Sequence, residues 1–300
     1  MKKDLLSISD LSKKEINALI DRAIEIKSKG RNVKRSLEGY TLGLIFEKAS
    51  TRTRVSFEVA MFRLGGQTIF LSRADTQLSR DENIHDTAKV LSRYLDAIAI
   101  RTYSQDMVEE MAKYSDIPVI NALSDLYHPC QVLSDLMTVK EKKGTLENIR
   151  IAWIGDGNNV AHSWIHAASI LGFELALACP RDYRPLPEVM AGCGPNIMLS
   201  DDPYEAVMGA SVINTDVWVS MGQENDRKKK ISGFKGFQLD SKLIQAANGD
   251  VVVMHCLPAH RGEEISSEVL DGPKSIVFDQ AENKLHLHQA LLEKLILKKK

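Results

Sequence analysis

Short apolar runs alternate with amphipathic stretches along most of this chain. TLGLIF (41–46) precedes a helical pattern over 53–64, AIAIR (97–101) precedes one over 106–114, and IRIAWIG (149–155) precedes one over 160–171. Strand runs that alternate with helical ones predict parallel strands joined by crossover helices, and so an α/β fold. MKKDLLSISDLSKKEI carries no apolar leader segment and reads as a first amphipathic helix, with Ser12 and Glu15 spaced as a capping box. KEKKGTLEN (140–148) separates two such series and is the expected linker; 133–143 before it reads as one helix running between domains. A last strand is expected at SIVF (275–278), then a helix over about 282–297 with Asp279 near its start.

Each polar motif follows an apolar run. In open parallel sheets ligands bind outside the carboxyl ends of the strands, so loops of this kind are expected to gather on one edge. Composition narrows the ligand. The chain has 300 residues, 44% hydrophobic and 26% charged, with a formal net charge of −1. That balance gives no reason to expect nucleic acid or an anionic membrane as partner. No run reaches the roughly 18 apolar residues of a membrane span. Four cysteines lie far apart with no CxxC pair, as expected for reduced thiols in a cytoplasmic protein. The basic runs Lys228–Lys230 and Lys298–Lys300 are expected to be solvated loop and tail.

FEKASTRTR (46–54) is different, because Lys48, Arg52 and Arg54 crowd together among hydroxyls. A helix beginning near Thr51 would turn its first N–H groups and its positive dipole end toward the same place. Hydroxyl donors and guanidinium forks added to that end make a seat for a phosphate; Gly65-Gly66 would then stop the helix. No GxxxxGK[ST] occurs, so a Walker-type nucleotide site is not indicated. GDGNN (155–159) invites a dinucleotide reading, but Val160 stands where the last glycine would be needed. The following strand ends in Ala178-Cys179-Pro180 without an acidic residue for a ribose, which sets NAD aside. Asp156, Asn158 and Asn159 remain as polar groups at a strand tip, with Asx-turn chemistry accounting for at least one of them. YHPCQ (127–131), NTDVWVSMGQE (214–224) and VVVMHCLPAHRGEE (251–264) supply further strand-tip groups. Their cysteines and histidines lack structural-zinc spacing, so no metal is expected.

STRTR, HPCQ and HCLP, in this order and at these distances, resemble the aspartate/ornithine carbamoyltransferase family nearly end to end. DVWVSMG (216–222) with HCLP at 255–258 is similar to the ornithine branch. The resemblance implies two domains, each a parallel sheet flanked by helices. These are a carbamoyl phosphate-binding domain (1–140), an ornithine-binding domain (145–280) and a C-terminal helix (281–300) returning to the first. The implied activity moves a carbamoyl group to the side-chain amine of L-ornithine, in arginine biosynthesis or its reverse, with no cofactor. On carbamoyl phosphate it implies Ser50, Thr51, Arg52 and Thr53 for the phosphate and Arg101 and His128 for the carbamoyl oxygen. Pro129, Cys130, Gln131, and the main chain of Cys256 and Leu257 are implied around the rest of that ligand. Gln77 would serve a neighbouring subunit, which implies a homotrimer with shared sites. Asn159 and Met221 would receive the ornithine carboxylate, Asp216 and Ser220 the α-ammonium, with Cys256 near the attacking amine. Leu257-Pro258 resembles a cis bond of the family. Two departures stand out: Lys284 follows Ala281-Glu282-Asn283 where the family has arginine, and Ser79-Arg80-Asp81-Glu82 replaces Gly-Arg-Gly-Glu. A lysine keeps the charge but loses the bidentate fork. Besides an ornithine-specific transferase, an enzyme for another amine such as putrescine, an NAD-dependent oxidoreductase and a non-catalytic phosphate-ligand binder are the readings to separate.

Overall fold

The computed structural model describes residues 3–72, 83–219, 222 and 224–297. They form two compact units, one of residues 1–137 with 282–300 and one of 138–281. The first unit contains α1 (Lys13–Ser28), β1 (Thr41–Phe46), α2 (Thr51–Arg63), β2 (Gln67–Ser72), α3 (Ile84–Tyr94), β3 (Ala97–Arg101), α4 (Gln105–Tyr114) and β4 (Val119–Leu123). Helix α5 (Pro129–Lys143) carries the chain into the second unit. There follow β5 (Arg150–Ile154), α6 (Asn159–Leu171), β6 (Glu174–Ala178), α7 (Pro187–Met190), β7 (Ile197–Ser200) and α8 (Pro203–Val207). The unit continues with β8 (Val212–Thr215), α9 (Arg227–Gly233), α10 (Ser241–Gln245), β9 (Val252–His255) and α11 (Ser267–Leu270). Helix α12 (Val277–Ile296) leads back to the first unit.

The first sheet runs β2-β1-β3-β4 and the second β7-β6-β5-β8-β9, and every strand pair is parallel. All six residues of β1 and all five of β3 are buried, which is why those strands read as unbroken apolar runs. The expected α/β architecture of two helix-flanked parallel sheets is what the chain adopts. The order of strands matters more for function. From β1 the first sheet grows to β2 on one side and to β3 on the other; from β5 the second grows to β6 and to β8. Each is a switch point, where the loops leaving two adjacent strands diverge and open a crevice.

Local chemistry sets the helix ends. Ser12 and Glu15 form the expected capping box on α1. Helix α2 stops at Arg63, and Gly65 follows with φ +88°, a conformation that favours glycine. Pro129 opens α5, so HPCQ is the start of a helix and only His128 precedes it; a missing N–H costs nothing at that position. The expected strand at SIVF is not formed. Ser275 makes one isolated bridge with Val253, Ile276 N donates to Val253 O (2.9 Å), and Gln280 N then donates to Ile276 O (2.9 Å). That last bond starts α12 at Val277, five residues earlier than the pattern suggested, because Val277 and Phe278 are apolar enough to read as strand.

Candidate functional site

The β1–β3 switch point brings the STRTR loop and Arg101 together. Phe46, the last residue of β1, pairs with Arg101, the last residue of β3, so the loop at 47–50 and the Arg101 side chain leave adjacent strand ends. Between Ile100 and Arg101 the register of β3 against β4 shifts, an irregularity of the kind that re-aims a side chain beside a site. Ser50 caps α2 with extended backbone, its hydroxyl accepting from Thr53 N (3.3 Å). An open depression of about 700 Å³ over this loop is lined by Lys48, Ser50, Thr51, Arg54, Phe70 and Ser72, among others.

The three crowded cations have separate fates. Lys48 is buried, paired with Asp125 and set 4.0 Å over the Tyr103 ring. Arg54 pairs with Glu58 one turn on (2.9 Å) and lies 3.6 Å over Phe70. Arg52 is exposed and makes no ion pair among the described residues. Two of the three charges are thus matched by carboxylates, and that of Arg52 is not, among the described residues.

Behind the loop, Arg101, His128, Gln131 and Lys284 are all buried. Lys284 Nζ reaches Thr53 Oγ1 (3.2 Å) and Gln131 Oε1 (3.0 Å), and Gln131 Nε2 donates to Asp135 Oδ1 (2.8 Å). Burial, then the charges of Lys284 and Arg101, hold the His128 imidazole well below its ordinary value; the neighbouring His288 acts in the same direction. His128 is therefore neutral near pH 7, a hydrogen-bond donor that adds no charge. Cys130 is buried, its thiol donating to Asn121 O (3.4 Å), and burial pushes it up to about 12. It is a packed thiol whose proton stays on.

His128 and His288, both buried, also make stability depend on pH. Their folded-state values lie below the unfolded value near 6.5, so below that pH the unfolded chain binds protons that the folded chain refuses. Stability is full above about pH 6.5 and falls on acidification, by up to about 1.4 kcal/mol per pH unit for each ring. The urea midpoint is expected to hold from pH 8 to about pH 6.5 and to drop steadily from there to about pH 5.5. A flat midpoint would mean that these rings take up protons in the folded state.

The second switch point joins three strand ends. Ile154 of β5 pairs with Thr215 of β8, and Thr215 pairs with His255 of β9, so the residues just beyond them are neighbours. Asp216 is buried there. Its Oδ2 accepts from Asn158 Nδ2 (2.9 Å), and its Oδ1 accepts from Val217 N (2.8 Å) and from Cys256 Sγ (3.0 Å). Asn158 caps α6 through Val160 N and Ala161 N, which leaves Asn159 as the first helical residue. The GDGNN turn is fixed by close packing: a Cβ on Gly157 would stand 2.2 Å from Pro185 N and 2.4 Å from Arg184 C, so only glycine fits. Ser220, Met221 and Gln77 lie outside the described residues, as do the 79–82 departure and the basic tail at 298–300.

Lys230 corrects an expectation. It is buried, and its Nζ pairs with Asp156 Oδ2 at 2.6 Å. A basic run of three reads as solvated from sequence, but α9 turns its third lysine inward onto a carboxylate 74 positions earlier. Burial pushes the Asp156 carboxyl up and the Lys230 charge opposes that shift.

The Leu257-Pro258 bond is cis, and Leu257 has φ +57°. Ligand atoms of Asp216, His255 and Cys256 lie within 4.8 Å of one another, and so do those of His260, Glu263 and Glu264. In the first group both His255 nitrogens are engaged, Nδ1 with Leu257 N (2.9 Å) and Nε2 with Glu264 Oε1 (3.0 Å), and the Cys256 thiol is on Asp216. Hydrogen bonding accounts for that group without a metal. No helix among the described residues is long and apolar enough to cross a membrane.

Two family models match the chain, and the second runs on through residues 282–295 of α12, which pack in the first unit. Residues 3–141 match the family described as aspartate/ornithine carbamoyltransferase, carbamoyl-P binding domain. Residues 147–295 match its Asp/Orn binding domain. An ornithine carbamoyltransferase of Desulfotalea psychrophila is 53% identical over 299 residues, 97% of this chain and 98% of the relative. One of Methanoculleus marisnigri is 50% identical over 301 residues, 99% of this chain and 97% of the relative. Among solved structures, ornithine carbamoyltransferase of Pyrococcus furiosus superposes with a TM-score of 0.93 at 48% identity, covering 96% of this chain and 95% of that one. The anabolic ornithine carbamoyltransferase of Campylobacter jejuni gives 0.94 at 43% identity, with complete coverage of both chains.

Proposed function

This chain belongs to the aspartate/ornithine carbamoyltransferase family, and from that membership we propose that it transfers the carbamoyl group of carbamoyl phosphate to the side-chain amine of L-ornithine, giving L-citrulline and phosphate. The observation that carries the reading is a matched pair of switch points. One offers a helix N-terminus and an uncommitted Arg52; the other offers a carboxylate, Asp216, held by Asn158, Val217 and Cys256. An anion and an ammonium are the charges these two places accept.

In this reading the phosphate sits on α2, held by Ser50, Thr51, Arg52 and Thr53 with Lys284 behind them. Arg101 and neutral His128 take the carbamoyl oxygen, and the ends of Pro129–Gln131 and Cys256–Leu257 surround the carbamoyl amide. Asp216 and Ser220 bind the α-ammonium, Asn159 and Met221 the carboxylate, and Cys256 stands near the amine. A neutral amine attacks the carbamoyl carbon, the C–N bond forms, and charge collects on the oxygen that Arg101 and His128 face. The C–O bond to phosphate then breaks, and the proton shed by nitrogen leaves with phosphate in the balanced reaction. No covalent nucleophile is required, since holding two reactants in line supplies much of the barrier reduction.

Aspartate as acceptor would bring a second carboxylate toward Asp216 and is disfavoured by repulsion. Putrescine has no α-ammonium or carboxylate for Asp216 and Asn159 to recognise. We further propose a cytoplasmic homotrimer in which Gln77 completes a neighbour's site. Exposed Val55, Phe62 and Ile69, on α2 and β2, support such an assembly. The deciding assay follows product and phosphate release with carbamoyl phosphate and ornithine, aspartate or putrescine in separate reactions. Citrulline formation with the other two silent supports the reading; turnover with putrescine alone would remove Asp216 from the recognition of an amino acid.

A further inference from the structure

Lys284 and His288 stand four residues apart on α12, so their side chains leave the same face of the helix. Lys284 reaches Thr53 Oγ1 and Gln131 Oε1. His288 is fully buried and stacks on Phe57, with ring centroids 3.7 Å apart and 11° between the planes. Its Nδ1 lies 3.0 Å from Ser56 Oγ, and Ser56 Oγ also lies 3.0 Å from Thr53 O. A carbonyl oxygen can only accept, so the arrangement that uses both contacts has Ser56 donating to Thr53 O and accepting from the ring. In that arrangement the imidazole carries its proton on Nδ1. Thr53, Ser56 and Phe57 follow one another along one face of α2. Helix α12 thus grips the opening turns of the phosphate helix at three successive points.

We propose that His288 is a positioning residue of the phosphate seat: it holds α2 against α12 in the register that delivers the Lys284 ammonium to Thr53 and Gln131. The inference rests on reading that seat as the carbamoyl phosphate site. Histidine meets three demands at once. It stacks as an aromatic ring, it donates one N–H, and it stays uncharged beside an ammonium.

The groups facing the ring are Ser56 and Phe57 from α2, Lys284 from its own helix, and His128 from the turn before α5. Its Nε2 is buried and has no hydrogen-bond partner among the described residues. Burial, then Lys284, hold the ring well below its ordinary value. A proton on Nε2 would place a second buried cation beside Lys284 with nothing to accept its hydrogen, pushing the two helices apart.

The test is a set of variants measured for both substrates. His288→Ala removes stack and hydrogen bond together and is expected to raise KM for carbamoyl phosphate about tenfold, with KM for ornithine shifted far less. His288→Asn, whose amide can reproduce the Nδ1 donor, is expected to recover part of that loss and keeps the test alive should the alanine variant not fold. In a Lys284→Ala background the His288→Ala change is expected to add little, because the position it would hold is already empty. Full additivity in the double variant overturns the proposal, as does an equal loss for both substrates that tracks a lower Tm. An Arg52→Ala arm separates the underlying reading: if it leaves carbamoyl phosphate binding unchanged, the seat itself is misassigned and the proposal falls with it.

Discussion

Arg101→Met is expected to lower kcat by about a hundred- to a thousandfold, the usual size of a lost oxyanion donor. The residue closes β3 where the register shifts, it is 5% exposed, and it stands beside His128. In the ground state the carbamoyl oxygen is a weakly charged carbonyl; in the transition state it carries developing negative charge. A buried guanidinium gains far more from the second than from the first, so kcat falls more than KM rises. Methionine keeps the length of the side chain and leaves no orphaned charge, which protects the fold. Steady-state kinetics with Tm recorded in parallel decides the matter. A kcat within threefold of wild type would take Arg101 out of the oxyanion role.

Asp216→Asn is expected to raise KM for ornithine by about ten- to a hundredfold, the range for a hydrogen bond to a charged partner, with KM for carbamoyl phosphate nearly constant. Asparagine keeps the shape but removes the charge that an α-ammonium would meet, and its amide nitrogen cannot accept. One of the bonds from Asn158, Val217 and Cys256 must therefore break. The substitution thus removes attraction and loosens the local frame together. Equal shifts for both substrates would contradict the assignment of the two ligands to separate switch points.

Much of this arrangement is legible in the amino-acid sequence, for a physical reason. Strands buried on both faces must be apolar throughout, so TLGLIF and AIAIR announce themselves. Parallel sheets place ligand loops after such strands, which is why STRTR, GDGNN, DVW and HCLP can be collected from their positions along the chain. What sequence hides is pairing at long range. Nothing near Lys230 distinguishes it from Lys228 and Lys229; only the fold brings Asp156 to it. Asn158 and Asn159 are adjacent polar residues that the pattern does not separate; the family resemblance implies Asn159 for the ligand, and the geometry adds that Asn158 caps α6 and holds Asp216. His288 carries one faint signal, its spacing of four from Lys284, but the partner that gives it meaning, Ser56, is 232 residues away. The missing strand at SIVF has a different origin: apolar residues at the start of a buried helix match a strand pattern equally well.

The first unit is assembled from two separate stretches, residues 1–137 and 282–300, whereas the second is one continuous stretch. A chain made on the ribosome emerges from its N-terminus, and domains generally fold in that order. Here the order is inverted for completion. The second unit has all of its residues before Lys284 and His288 are made, whereas α2 in the first unit must wait for both. On the proposed reading of the site, α2 gains the ammonium and the imidazole behind its first turns only once residue 288 has been made, so a chain ending before 282 is expected to lose carbamoyl phosphate binding.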